Sequence, residues 1–187
     1  MSENRSGKAA SSLLFKLMES FGMQGIAFVV GLVLARLLDP ADYGVLGMLT
    51  VFIAFSQVFV QSGLNTALIQ NKDVTEEDYS SVFYVTLGIA AVLYGILFAA
   101  APLIARFYNM PTLTQPFRVL CLVLFPGALN SIQLAKVSRA LDFKKIFRSN
   151  VAAILVSGAA GIALALLGGG LWALVVQYLL NVTVACL

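Results

Sequence analysis

The sequence predicts an all-α fold, a polytopic transmembrane helix bundle of about six spans, and three observations predict it. Of 187 residues, 60% are hydrophobic and only 11% are charged, and the mean hydropathy is +0.92. Soluble domains average about a quarter charged residues, so the solvent for most of this chain is lipid. The apolar residues also fall into runs long enough to cross a bilayer, since a helix rises about 1.5 Å per residue and the hydrocarbon core is about 30 Å thick. Finally, polar segments rich in Pro, Gly, Asn and Asp separate the runs, as connections between helices require.

Residues 1–12, MSENRSGKAASS, form a polar N-terminal tail carrying Arg5 and Lys8. The apolar run that follows is too long for the short core of a secretory signal and leads into a second span, so it reads as an uncleaved helix. The first span covers about 13–38 and the second about 45–70, joined by the turn Asp39-Pro40-Ala41-Asp42-Tyr43-Gly44. Pro40, lacking an N–H, is expected to end the first helix, and Gly44 to free the chain before the second.

In the polar connection Asn71–Ser80, Thr75 with Asp78 resembles an N-cap pair opening the next helix. The third span, about 81–105, is uncharged and carries Pro102 near its end, which predicts a kink. Arg106–Pro116 has the aromatic and proline residues of a water–lipid interface. The fourth span, about 117–136, holds Pro126-Gly127 near its middle and is expected to bend or break there. Backbone groups freed at that depth are tolerated only where protein or a water-lined cavity satisfies them.

Ser138–Asn150 is the most basic stretch. The fifth span, about 151–167, contains Ser157–Gly161 (SGAAG), small residues that permit close helix packing. Gly168–Gly170 turn the chain into a sixth span, about 171–187, which reaches Leu187 while still apolar; the bundle in residues 13–187 is therefore expected to be incomplete at its C-terminus.

Lys and Arg set the orientation. The N-terminus and the connections after the second and fourth spans hold nine of them (Arg5, Lys8, Lys16, Lys72, Lys136, Arg139, Lys144, Lys145, Arg148), against three on the other side (Arg36, Arg106, Arg118). This predicts a cytoplasmic N-terminus. The net charge of +3 and pI near 9.0 do not indicate nucleic acid, because the basic residues lie at helix ends rather than in one patch.

Catalysis has little to stand on. No histidine occurs, and G-x-S-x-G, P-loop, HExxH and paired intramembrane carboxylates are all missing, so no enzyme, metal site or cofactor is expected. Cys121 and Cys186 lie in apolar runs without CxxC spacing and read as small buried hydrophobes.

The polar residues inside the spans are more informative. Gln57, Gln61 and Asn65 recur every four residues and share one face of the second span. They either line an aqueous cavity or act as interhelical packing contacts. Asn130 with Gln133, and Gln177 with Asn181, repeat the pattern in pairs, for which packing is expected. Lys16 and Glu19, three residues apart, either form a snorkelling ion pair or make Glu19 a protonation site coupled to transport. Arg36 is an interfacial anchor or an attractor of anionic substrate. The basic residues Lys136 to Arg148 suit contact with anionic membrane lipids.

ARLLDPADYG (Ala35–Gly44), GLNTALIQNKDVTEEDYSSVF (Gly63–Phe83), APLIARFYNMPTL (Ala101–Leu113), RALDFKK (Arg139–Lys145) and LLGGGLWALVVQ (Leu166–Gln177) occur in an order that resembles polysaccharide flippases of the Wzx type, above all exporters related to those for colanic acid. These belong to the multidrug/oligosaccharidyl-lipid/polysaccharide exporter superfamily. Asp39 departs from the Gly that many relatives have before the Pro. The resemblance implies one lobe of a two-lobe, alternating-access exporter in the bacterial inner membrane. It implies that undecaprenyl-diphosphate-linked oligosaccharide repeat units for lipopolysaccharide or exopolysaccharide are moved to the outer leaflet, with polysaccharide polymerase machinery as a partner. Gln57, Gln61 and Asn65 would then meet sugar hydroxyls, and Lys16 and Arg36 the diphosphate. The alternatives are a multidrug exporter of the same superfamily and a non-transporting half-size scaffold.

Overall fold

The computed structural model describes residues 22–61, 76–130 and 143–186, with side chains over 22–60, 81–130 and 147–186. The described residues are helical throughout, without a strand. Helix α1 covers Gly22–Leu37 and α2 Pro40–Gln61. Only Leu38 and Asp39 separate them, so α2 begins earlier than the hydropathy suggests. Pro40 does not act as a terminator there. It is the first residue of α2, where a missing N–H costs nothing and a fixed φ suits the helix. Gly44 accordingly lies within α2 rather than in a turn, and Asp42 places its carboxylate in the first turn, where the helix dipole favours it.

Helix α3 runs over Glu76–Phe107 and continues through Pro102 without interruption. Its 32 residues correspond to about 48 Å, more than the hydrocarbon thickness. It closes on a Schellman turn. Met110 N–H donates to the Ala105 carbonyl at 2.9 Å and Asn109 N–H to that of Arg106 at 3.0 Å, with Asn109 in the left-handed region at φ 54°.

A single 3₁₀ turn, Pro111–Leu113, leads into α4, Thr114–Cys121. The chain then breaks at Leu122–Val123 and resumes as α5, residues 124–130. The break lies four residues before Pro126, not at Pro126 itself, because the proline ring withholds an N–H from the carbonyl of residue 122 and crowds it. That carbonyl is taken up instead by Phe125 N–H at 3.2 Å.

Helix α6 covers Phe143–Leu166 and α7 Leu171–Ala185. The basic residues Lys144, Lys145 and Arg148 therefore open α6 rather than occupying a loop. A second Schellman turn ends α6, with Gly168 at φ 79°, Gly169 N–H on the Leu164 carbonyl at 2.9 Å and Gly168 N–H on that of Ala165 at 3.0 Å. Gly170, at φ 49° and ψ −128°, then reverses the chain into α7.

Among the described residues, three buried clusters hold the helices together. Leu49, Ile53, Ala105, Leu113, Phe117, Leu120 and Val175 join α2, α3, α4 and α7. Leu34, Leu38, Ala165, Ala173 and Leu174 join α1, α6 and α7. Val60, Ala90, Leu124 and Ala128 join α2, α3 and α5. Val45, Ala105, Leu113 and Leu171 meet in the first of these, and Asp42 Oδ2 lies 3.4 Å from where a Cβ on Gly170 would stand. The connections at 38–39, 108–113 and 167–170 thus gather at one end, the turn end. At the opposite end, Ser149 Oγ donates to the Ala185 carbonyl at 3.0 Å and Cys186 Sγ to that of Pro126 at 2.9 Å.

Candidate functional site

Polar groups within apolar helices must be satisfied or must face something polar. Several hydroxyls return to their own helix: Ser56 Oγ donates to the Phe52 carbonyl at 2.9 Å, Thr86 Oγ1 to Val82 at 2.7 Å and Thr183 Oγ1 to Leu179 at 2.7 Å. Such bonds remove the desolvation penalty without any ligand.

The α6–α7 pair uses its polar residues for packing. Asn181 Nδ2 donates to Ser157 Oγ at 3.2 Å. One turn along, a Cβ on Gly161 would stand 3.0 Å from Gln177 Cβ. On the other side of α6, a Cβ on Gly158 would stand 2.9 Å from both Val30 methyls of α1. The small-residue stretch therefore works as two notches, one for α7 and one for α1.

Gln57 is different. It is half-buried on α2, next to the buried Ser56 and one turn from the buried Val60. Its Nε2 reaches across to α5, 3.6 Å from where a Cβ on the buried Gly127 would stand. The amide is thus held against α5, one turn past its break from α4, where the end of α7 also arrives through Cys186. A Cβ at 127 would lie in ordinary van der Waals contact with the amide, so the two helices meet closely here. Gln61 closes α2 on the same helix face, but its side chain, like Asn65, Lys16, Glu19, Asn130's expected partner Gln133 and the Thr75–Asp78 pair, lies outside the described residues.

Arg36 is exposed in the last turn of α1, at the turn end. Gln57 is 17 residues from the start of α2, about 26 Å along the axis. The structure therefore does not bring Gln57 and Arg36 into one site; any solute touching both would meet them at different depths.

Two features escaped the sequence reading. Tyr43 places its hydroxyl, and Arg118 its Nε, in buried positions without a hydrogen-bond partner. Arg118 Cζ lies 4.2 Å from the centroid of Phe98. Arg118's place in the first turn of the fourth apolar run, beside Phe117, was the available signal. Its aromatic partner, on another helix, left none. Among the described residues there is no group of three or more His, Cys, Asp or Glu suited to a metal ion, and Cys121 and Cys186 are free and buried.

Comparison with known proteins fits this architecture. Residues 33–187 match the family model described as polysaccharide biosynthesis protein. The chain is 25% identical over 170 residues to the succinoglycan biosynthesis transport protein ExoT of Rhizobium meliloti, covering 91% of this chain and 34% of that protein. It is 25% identical over 167 residues to the lipopolysaccharide biosynthesis protein WzxC of Escherichia coli, covering 87% of this chain and 33% of that protein. A teichuronic acid biosynthesis protein of Bacillus subtilis, TuaB, is 24% identical over 97 residues, 52% of this chain and 20% of that protein. The chain spans about a third of the length of the first two of these relatives. No solved structure matches. With a helical bundle whose long apolar helices suit a membrane and a family model that matches most of its length, the chain belongs to the polysaccharide biosynthesis protein family of membrane proteins.

Proposed function

We propose that this chain forms one lobe of an exporter that carries a lipid-linked oligosaccharide repeat unit across the bacterial inner membrane during lipopolysaccharide or exopolysaccharide synthesis. The observation that carries the reading is the family match over residues 33–187, joined to relatives named for transport and biosynthesis of surface polysaccharides. The N-terminus lies in the cytoplasm and the turn end faces outward, as the distribution of Lys and Arg favours.

The physical task is to pass a polar head through about 30 Å of hydrocarbon while its lipid tail stays in the bilayer. Sugar hydroxyls then need replacements for water. Amides supply them: Gln57 on α2 against α5, with Gln61 and Asn65 as the further members of the row that the four-residue spacing predicts. Lys16 meets the diphosphate on the inner side, Arg36 meets it on the outer side, and Glu19 is the group available for proton coupling. The repeat unit is then delivered to polysaccharide polymerase machinery.

The test is made in the native host. Deleting the coding region should cause lipid-linked oligosaccharide to accumulate beyond the reach of a membrane-impermeant glycosidase applied to spheroplasts. Unchanged accessibility and unchanged surface polysaccharide would overturn the reading.

A further inference from the structure

Arg118 is the one cation among the described residues whose guanidinium nitrogen is enclosed without a partner. It lies on α4, seven residues after Pro111, which places it about 11 Å inside the turn end of its span. A charge at that depth is costly and is normally paired. No carboxylate among the described residues pairs it. The acidic side chains within the described residues are Asp39 and Asp42, and Asp42 stands against Gly170 at the start of α7. What meets Arg118 instead is the face of Phe98 on α3, a contact that holds the guanidinium against the ring but gives its Nε no acceptor.

The surroundings define what can fill that role. Arg118 is only half-buried, and Phe98 and Leu122, one turn along the chain from it, are both exposed large apolar residues. The seam between α3 and α4 is therefore a cation at headgroup-side depth with an apolar track beside it. A planar guanidinium forks onto phosphate oxygens with two parallel hydrogen bonds, and an acyl or isoprenyl tail suits the track. We propose that Arg118 and Phe98 form a binding site for a lipid-borne phosphate group on the α3–α4 seam, supplied either by a membrane glycerophospholipid or by an isoprenyl diphosphate. The isoprenyl diphosphate source rests on the export reading, whereas the glycerophospholipid source does not.

Native mass spectrometry of the purified full chain in detergent tests it, with dioleoylphosphatidylglycerol, farnesyl diphosphate and the phosphate-free dioleoylglycerol added separately. The wild-type protein should retain at least one of the two phosphate lipids and not dioleoylglycerol. Arg118→Gln should weaken that adduct roughly tenfold or more, the loss expected when a charge-assisted hydrogen bond is removed. Loss confined to phosphatidylglycerol assigns the site to membrane lipid, and loss confined to farnesyl diphosphate assigns it to the isoprenyl carrier class. Arg118→Lys keeps the charge but not the fork, so it should fold and bind more weakly than wild type; it carries the test if the Gln variant does not fold. Adducts of equal strength in wild type and a folded Arg118 variant, or equal retention of dioleoylglycerol, would overturn the proposal.

Discussion

Substituting alanine for Gly158 should destabilise the bundle, and the structure allows the size of the effect to be separated from helix propensity. A Cβ at 158 would stand 2.9 Å from both Val30 methyls, a contact with the branched part of a side chain packed between helices. Relieving it requires α1 to move away from α6 or Val30 to leave its rotamer, and overpacking of this kind costs about 1–3 kcal/mol. Against this, alanine gains up to about 1 kcal/mol over glycine within a helix. Gly88 on α3 supplies the control, since nothing lies within 4 Å of its Cβ position. Both substitutions share the propensity gain, so the difference between them isolates the notch. Gly158→Ala should be less stable than Gly88→Ala by about 1–3 kcal/mol, or roughly 2–4 °C of melting temperature per kcal/mol at this chain length. Adding Val30→Ala should recover most of the difference, because it removes the two methyls in question. Thermal unfolding of the wild type and these three variants in one detergent measures all of this. A Gly158→Ala protein that melts with or above Gly88→Ala, or one that Val30→Ala does not restore, would refute the notch between α1 and α6.

Two further predictions concern the α6–α7 pair. Asn181→Ala should cost about 0.6–2 kcal/mol by thermal unfolding, the range for one interhelical hydrogen bond in a membrane bundle, and should add no further loss when combined with Ser157→Ala. Gly168→Asn should be tolerated, because Asn109 occupies the equivalent left-handed position at the end of α3. By contrast, Gly170→Asn should cost on the order of 1–3 kcal/mol, since φ 49° with ψ −128° is a conformation of type II′ turns that side chains disfavour. Equal melting temperatures for the two asparagine variants would contradict that assignment.

Much of this fold is legible in the sequence because lipid imposes few solutions. Long apolar runs must be helices, and the glycines at 168–170 can only be a turn. The errors are local and have local causes. Hydropathy marks where lipid ends, not where hydrogen bonding ends, so α3 begins at Glu76 and α6 at Phe143, within polar sequence. Proline has two opposite uses: Pro40 starts α2, and Pro126 breaks the chain one turn upstream of itself.

The candidate site was less legible. The amide row of α2 can be read from spacing alone, yet the Gly127 surface that receives Gln57 belongs to another helix. Val30 fits Gly158, and Arg118 covers Phe98, only because the chain folds; no periodicity connects residues so far apart.

The most direct measurement is export by the Gln57→Leu variant in the native host, read as the fraction of lipid-linked oligosaccharide that an impermeant glycosidase reaches in spheroplasts. Leucine keeps the volume and helix propensity of glutamine but removes its hydrogen bonds, worth about 1–3 kcal/mol when a polar partner is left unpaired. The variant should be present in the membrane at wild-type level and export roughly 5- to 150-fold more slowly. Export at the wild-type rate would contradict a polar path along α2.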